Sequence, residues 1–220
     1  MDSVTFENRI AASVSKSLIF SKHNGKVDTS FARRYGIAAY PTMVVVKPNG
    51  DEVDRLVGFY RPEEFVPAIL DLLQDRNTLN DYLSRLMQYP GSLSLRLEVA
   101  EKYRNRSSLD EAREHYEYVL ETDPDNGEGF SDDALMAVGK LELKARNYDL
   151  AVEQFERFKK TFPDSEMYED AAIYVPYTLM RAEKVAEAIE QFEQFKKDFP
   201  DSEELEWVDK QIQKLKEGNN

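Results

Sequence analysis

The sequence predicts an α+β multidomain protein, in which a partial α/β domain is followed by an all-α solenoid of helical repeats. Two stretches, AVEQFERFKKTFPDSE (151–166) and AIEQFEQFKKDFPDSE (188–203), nearly coincide at an offset of 37 residues. Self-similarity at such a period is the signature of a stacked repeat array. Closer to the N-terminus, TMVVVK (42–47) and a second strand-like run (52–58) flank a Pro-Asn-Gly turn, which predicts a β-hairpin.

Composition supports this division and excludes several classes of function. Residues 1–76 carry 10 Lys+Arg and 10 Asp+Glu, whereas residues 77–220 carry 19 and 32. So acidic a second part argues against binding to nucleic acid or to an anionic membrane surface, because both need a basic footprint. No run is long and apolar enough to span a bilayer. The chain has no cysteine, which excludes disulfides, thiolate metal sites and a cysteine nucleophile within it.

The first part alternates between helix and strand patterns. Phe6, Ile10 and Val14 recur at helical spacing, so we predict an amphipathic helix over 3–15. A short buried strand follows over 16–22, centred on SLIF, and then a turn at 23–25. The remaining elements are a helix from 28 or 29 to Tyr35, the hairpin strands at 42–47 and 52–58, and a helix from Pro62 to about 75.

The stretch 31–70 resembles the C-terminal two-thirds of a thioredoxin-like domain. The matching features are the Tyr-Gly-Ile approach, the loop of Tyr40, Pro41 and Thr42, the Asn-Gly hairpin, and Gly58 followed by a helix. The resemblance implies a cis peptide bond at Pro41. In that family a first strand and a Cys-x-x-Cys turn come before a helix like the one at 3–15. Neither is found here, which we interpret as an N-terminally truncated, redox-inactive domain.

The missing strand is the family's central one, and two arrangements follow from its absence. Either the SLIF and MVVV strands close up directly, or their edges stay open for another chain to fill. The second arrangement makes self-association through the open sheet a prediction.

The second part is helical throughout. We predict a thioredoxin-like domain over 1–76, a linking helix over 77–91, three helix pairs over 92–203 and a capping helix over 204–220. Each pair ends in a proline, which stops the second helix, and these prolines are Pro124, Pro163 and Pro200.

The pairs resemble tetratricopeptide repeats. Small residues stand where the first helix meets the second (Ala100 and Gly139), and each second helix repeats a small residue followed four positions later by an aromatic. The resemblance implies a concave surface lined by the first helices, which binds a protein or peptide. By its register the lining is Leu97, Glu101, Arg104, Met136, Lys140, Leu143, Lys144, Ile173, Tyr177, Met180 and Arg181.

Two observations limit what this surface binds. Leu97 with Glu101, and Ile173 with Tyr177, occupy the places where a grip on a terminal carboxylate has Lys and Asn, so a generic grip of that kind is not predicted. The repeated phenylalanines are interpreted as packing residues rather than as a ligand site. They are Phe155, Phe158, Phe192 and Phe195.

The candidate catalytic and metal-binding motifs in the sequence are each incomplete. His23 and His115 have no second histidine or cysteine at ligand spacing. Residues 13–16 match Ser-x-x-Lys without the accompanying motifs. The acidic turn after Asp123 has its glycine out of place for a calcium loop. We therefore predict no enzyme activity, no metal and no cofactor for this chain.

The leading hypothesis is a protein- or peptide-binding scaffold with a redox-inactive thioredoxin-like domain. The alternative is a fragment of a thiol-disulfide oxidoreductase whose repeat array recruits substrate proteins. The FPDS endings, typical of repeats in bacterial envelope assembly proteins, offer a third hypothesis, a structural assembly factor. The compartment stays open between cytoplasm, as the chain is written, and periplasm, if an upstream signal has been lost.

Overall fold

The computed structural model describes residues 17–18, 29–39 and 41–218, and of residues 17–18 and 29–31 it describes the backbone only. The predicted helix over 3–15, the turn at 23–25 and the start of the helix at 28 lie outside the described residues. The chain forms two compact units, Met1–His115 and Tyr116–Asn220. The predicted domain limits stay a prediction, although this division falls well after the composition boundary near residue 76.

The first unit contains a three-stranded antiparallel sheet in the order β1-β2-β3. Its strands are β1 (Ser17–Leu18), β2 (Thr42–Val46) and β3 (Glu52–Val57). Ser17 pairs with Val46 and Leu18 with Val45, so the two strands close up directly, as one of the two expected arrangements had it. The hairpin turns at Gly50, which has φ +85° and donates its N–H to Lys47 O at 2.8 Å.

Helices cover this sheet and complete its core. Helix α1 (Thr29–Arg34) precedes β2, and α2 (Pro62–Leu73) follows β3. Proline at the first position suits α2, because a helix start has no use for that N–H. Apolar positions of β2, β3 and α2 bury together, which fixes the partial α/β arrangement. They are Val45, Val53, Leu56, Ile69, Leu72 and Leu73.

Eight further helices follow in the described part of the chain. Thr78 caps the first of them by accepting the N–H of Asp81 at 3.1 Å, and Ser92 caps the second by accepting from Leu95 at 3.4 Å. The helices are α3 (Leu79–Gln88), α4 (Leu93–Asn105), α5 (Leu109–Thr122), α6 (Ser131–Ala145), α7 (Tyr148–Thr161), α8 (Tyr168–Arg181), α9 (Val185–Asp198) and α10 (Leu205–Glu217).

The turn inside each helix pair has one conformation. Ser107, Arg146 and Glu183 all have a left-handed backbone, with φ of 62°, 65° and 60°. In each case the next residue donates its N–H across the turn, to Tyr103 O, Glu142 O and Leu179 O at 3.1, 2.9 and 3.0 Å. These bonds are those of the Schellman ending of a helix. The repeat is thus visible in the backbone as well as in the sequence.

In the second unit each helix from α6 to α10 packs against the next. Two clusters form the core, one around Phe155 and Phe158 and one around Phe192 and Phe195. All four phenylalanines are buried, so their interpretation as packing residues is confirmed. Gly139 lies so close to the ring of Phe155 that an added Cβ would stand only 2.6–2.9 Å from three ring atoms. This close approach explains the small residue predicted at the crossing.

A buried ionic network joins β3 to α4 inside the first unit. Asp54 is completely buried, and its carboxylate lies 3.0 Å from Lys102 Nζ and 2.7 Å from Arg106 Nη2. It also accepts the backbone N–H groups of Arg55 and Leu79 at 2.7 and 2.9 Å. A buried charge with two cations and two amide donors is well compensated, whereas an unpaired one would be very costly.

Arg55 extends this network. Its guanidinium pairs with Glu52, at 2.6 Å between Nη2 and Oε2, and donates to Tyr35 O at 2.6 Å and Asn105 O at 3.3 Å. The strand, the end of α1 and the end of α4 are therefore held by the same set of charges.

Candidate binding surface

The residues predicted to line the first repeat lie on α4, in the first unit. Leu97 is half-buried. Glu101 and Arg104 form an ion pair, in which Arg104 Nε donates to Glu101 Oε1 at 3.0 Å. Their charges satisfy each other, which leaves this part of the predicted surface nearly neutral.

Several residues predicted for the second unit contribute to packing. Met136 is only 2% exposed and belongs to the Phe155 cluster, so the prediction that it lines an open surface is wrong. Helical spacing alone could not separate the two adjacent faces of α6. Leu143 and Met180 are partly buried against the same cluster, and Ile173 is partly buried against the Phe192 cluster.

The remaining predicted residues come close to a set of aromatic rings. Lys140 Nζ lies 5.0 Å from the ring centroid of Tyr174. Arg181 Cζ lies 6.0 Å from that of Tyr177, and Arg181 Nη1 donates to the Tyr177 hydroxyl at 3.1 Å. Lys144 is exposed on α6.

The rings themselves are in contact. Tyr174 and Tyr177 meet edge to face with centroids 6.1 Å apart, and Tyr177 lies 6.2 Å from Trp207. We call Lys140, Tyr174, Tyr177, Arg181 and Trp207 the aromatic–cationic row. It runs over α6, α8 and α10, and each of its aromatic members is half-buried.

Sequence reasoning missed Tyr174 and Trp207. A signal for Trp207 was present, because the 37-residue offset continues beyond residue 203. It aligns buried Ala171 with buried Val208 and buried Val175 with buried Ile212. Helix α10 therefore has the register of a first helix, which places Trp207 on the same side as the other members of the row.

Hydrogen bonding stabilises the charged form of the row's arginine. The bond to Tyr177 is the main cause that raises the pKa of Arg181 above its ordinary value. Nearby, Lys184 Nζ lies 2.8 Å from Asp149 Oδ1, and this bond raises the pKa of Lys184. Arg181 therefore stays charged, with its orientation restrained by a ring.

The predicted cis-proline loop lies in the first unit and only partly within the described residues. Tyr40 lies outside them, so the cis bond at Pro41 stays a prediction. Pro41 is exposed, and its carbonyl accepts the N–H of Gly58 at 2.9 Å. Thr42 Oγ1 donates to Ala39 O at 2.7 Å. Phe59, which follows Gly58, is 95% exposed.

No candidate for catalysis emerges from the described residues. Within them, no group of three His, Cys, Asp or Glu side chains could hold a metal ion. His115 stacks on Tyr103 with centroids 5.8 Å apart, and burial lowers its pKa. In the same part of the chain, no helix is long and apolar enough to cross a membrane.

Comparison with known proteins fits this architecture. Residues 4–73 match the profile of a thioredoxin-like domain family, and residues 130–209 match that of the YfiO family, described as outer membrane lipoproteins. No curated protein matches the chain. Among solved structures, "MamA MSR-1 C2" is 16% identical with a TM-score of 0.41, over 64% of this chain and 89% of that one. At that similarity it says nothing about function.

Fold and matches together define the class: a protein in which a thioredoxin-like domain precedes tetratricopeptide-like helical repeats. This combination supports a protein-interaction scaffold.

Proposed function

We propose that this chain is a scaffold that binds a protein or peptide through the first helices of its repeats, and that its thioredoxin-like domain is redox-inactive. The observation that carries the proposal is the aromatic–cationic row. Tyr, Trp and Arg are the residue types that dominate binding energy at protein interfaces. Here they stand together, half-buried, on three helices that follow one repeat register.

The composition of the row suits binding better than it suits folding. Phe155 and Phe192 are completely buried in the core. Tyr174 and Trp207 pack against the two core clusters on one side, and these rings and that of Tyr177 stay partly accessible on the other. Restrained rings offer a large contact area at a low cost in side-chain entropy, which favours tight association.

The thioredoxin-like part contributes surface rather than chemistry. Disulfide exchange requires a thiolate, and the 220 residues contain no cysteine. Phe59 and Pro41, joined through the bond from Gly58 to the Pro41 carbonyl, present an exposed apolar edge that a partner could also contact.

The test is capture of partners from native extract by the wild-type chain and by Tyr177→Ala. We expect loss of the partners in the variant, while circular dichroism reports an unchanged helix content. Tyr89→Ala serves as a matched control, because it also removes one tyrosine ring, which is 64% exposed and lies in the first unit. Equal capture by wild type and Tyr177→Ala would show that the row is not the binding surface.

A second candidate is favoured by the match to the thioredoxin-like family over residues 4–73. In it, a longer parent protein is a thiol-disulfide oxidoreductase, and the repeats recruit its substrates. A map of the 5′ end of the transcript and mass spectrometry of the native protein decide between the two functions. An in-frame Cys-x-x-Cys upstream of Met1 favours the oxidoreductase. Self-association was predicted from an open edge between the SLIF and MVVV strands, and these strands pair directly; self-association itself stays a separate prediction, which light scattering at high concentration tests.

A further inference from the structure

The charges around the aromatic–cationic row differ in sign from those of the unit that carries it. Residues 116–220 contain 13 Lys+Arg and 26 Asp+Glu. Between residues 134 and 148, however, the charged side chains on the surface are Lys140, Lys144 and Arg146, and the one carboxylate, Glu142, is buried. Between 171 and 182 the one charged residue is Arg181. The row is therefore bordered by basic side chains, beyond which the exposed carboxylates begin again at Asp149, paired with Lys184, and at Glu183.

The turns at the other end of the same helices are acidic. Stretches 121–133 and 161–170 contain many carboxylates and no lysine or arginine, and the same holds for 198–209, the stretch that includes Trp207 of the row. A ligand with negative charges is therefore repelled near the N-terminal ends of α6, α8 and α10 and attracted towards Arg181 and the basic side chains of α6, so charge favours docking towards the C-terminal ends of α6 and α8.

We propose that the row binds an internal segment of a partner protein in which side-chain carboxylates flank an aromatic residue. This inference rests on the proposed function and specifies its ligand. The carboxylates pair with Arg181 and Lys140, and the aromatic ring packs on Tyr177 and Trp207. Bonds to tyrosine hydroxyls take some of the five N–H donors of Arg181, and a guanidinium has others to offer a carboxylate.

The ligand is an internal segment rather than a chain terminus. A grip on a terminal carboxylate would need amide and ammonium donors at the positions of Ile173 and Tyr177. The structure has an apolar side chain and a ring there instead, both packed against neighbours. Side-chain carboxylates extend farther from the backbone, which suits pairing with Lys140 within α6 and with Arg181 at the end of α8.

Trp207 provides the readout, because it is the sole tryptophan of the chain and belongs to the row. The full chain is titrated with three short peptides of equal length, N-acetylated and C-amidated, each with one phenylalanine. One carries Asp and Glu, the second carries Asn and Gln in their places, and the third carries Lys. We expect the acidic peptide to shift Trp207 emission and to bind about tenfold or more tightly than the amide peptide, with an affinity that falls as salt rises.

Variants locate the charges involved. Arg181→Gln and Lys140→Gln should each weaken the acidic peptide about tenfold, as expected for charge-assisted bonds. The matched control is Arg157→Gln. Arg157 is exposed on α7, the second helix of its pair, and its loss changes the net charge by the same amount. An effect of Arg157→Gln as large as that of Arg181→Gln would overturn the proposal.

The remaining outcomes separate this inference from the proposed function. Preference for the lysine or amide peptide, with binding still dependent on Tyr177, overturns the acidic ligand and leaves the scaffold function standing. Much tighter binding of the acidic peptide with a free C-terminus overturns the internal segment. If none of the peptides binds and Tyr177→Ala captures the same partners as the wild type, both the acidic-ligand inference and the proposed function are overturned.

Discussion

Replacing Gly139 with alanine tests the packing on which the repeat array depends. A methyl group at this position would lie 2.6 Å from Cε1 of Phe155 and 2.9 Å from Cδ1 and Cζ, whereas carbon atoms normally meet at about 3.5–4.0 Å. The ring cannot retreat easily, because Phe155 is completely buried and stacks on Tyr174 at 5.0 Å between centroids.

Two opposed effects decide the sign. Alanine is better than glycine inside a helix by about 1 kcal/mol, which would stabilise α6. Overpacking of a closed core costs about 1–3 kcal/mol, and here three ring atoms clash at once. We expect the clash to prevail, so that Gly139→Ala lowers the free energy of unfolding by about 1–2 kcal/mol.

Urea unfolding followed by Trp207 fluorescence measures this change, since Trp207 lies in the same unit. Gly127→Ala is the control: an added Cβ there has Asp123 Oδ1 at 3.4 Å as its nearest neighbour, and little change is expected. In a Phe155→Leu background the cost of Gly139→Ala should shrink, because the smaller side chain leaves room. A Gly139→Ala protein as stable as wild type, or more stable, would refute the reasoning.

Three further changes address the charges and turns. Asp54→Asn should destabilise the chain by about 3 kcal/mol, the lower end of the cost of breaking a buried pair, because half-buried Lys102 loses its ion pair with Asp54 and Arg106 keeps only Glu52 at 3.4 Å; thermal unfolding checks this, and a loss no larger than that of exposed Asp51→Asn contradicts it. Glu183→Gly should stabilise by about 0.5–1 kcal/mol, because glycine adopts its left-handed conformation without strain; a urea midpoint that stays or falls speaks against strain in the turn. Burial lowers the pKa of His115 below its ordinary 6.5, so the unfolded chain binds the extra proton first, and stability should be held above pH 6.5 and fall below it; His115→Gln should flatten this slope, and equal slopes in the wild type and in His115→Gln would exclude His115 as the cause.

The repeat half was predictable because its periodicity reports directly on packing. Ala151, Phe155 and Phe158 recur at helical spacing, and burial follows that spacing closely. Closing prolines and the 37-residue offset located the helix pairs. The sequence did not show on which side of the buried stripe's border a side chain lies. Successive residues are 100° apart around the helix axis, and the apolar stripe that faces the core is itself about 100° wide. Met136 falls on the buried side of that border and Lys140 on the open side.

The binding surface was predicted in part. Register gave Lys140, Tyr177 and Arg181, which the structure brings together around rings. Tyr174 and Trp207 were missed, because a partly buried aromatic on an amphipathic helix has the same spacing as a core residue. The contact of Lys140 with Tyr174 and that of Tyr177 with Trp207 show that these two residues continue the row.

The ionic network of β3 could not be predicted from the sequence. Successive residues of a strand point to opposite faces, so Asp54 and Arg55 would normally include one exposed side chain, yet both are buried. The cationic partners of Asp54 are Lys102 on α4 and Arg106 just after it, about fifty positions away and beyond the composition boundary. Because pairing a buried carboxylate matters by several kcal/mol against a total stability of about 5–15 kcal/mol, strand and helix fold as parts of one unit. The compact unit that contains this network extends to His115, well past residue 76.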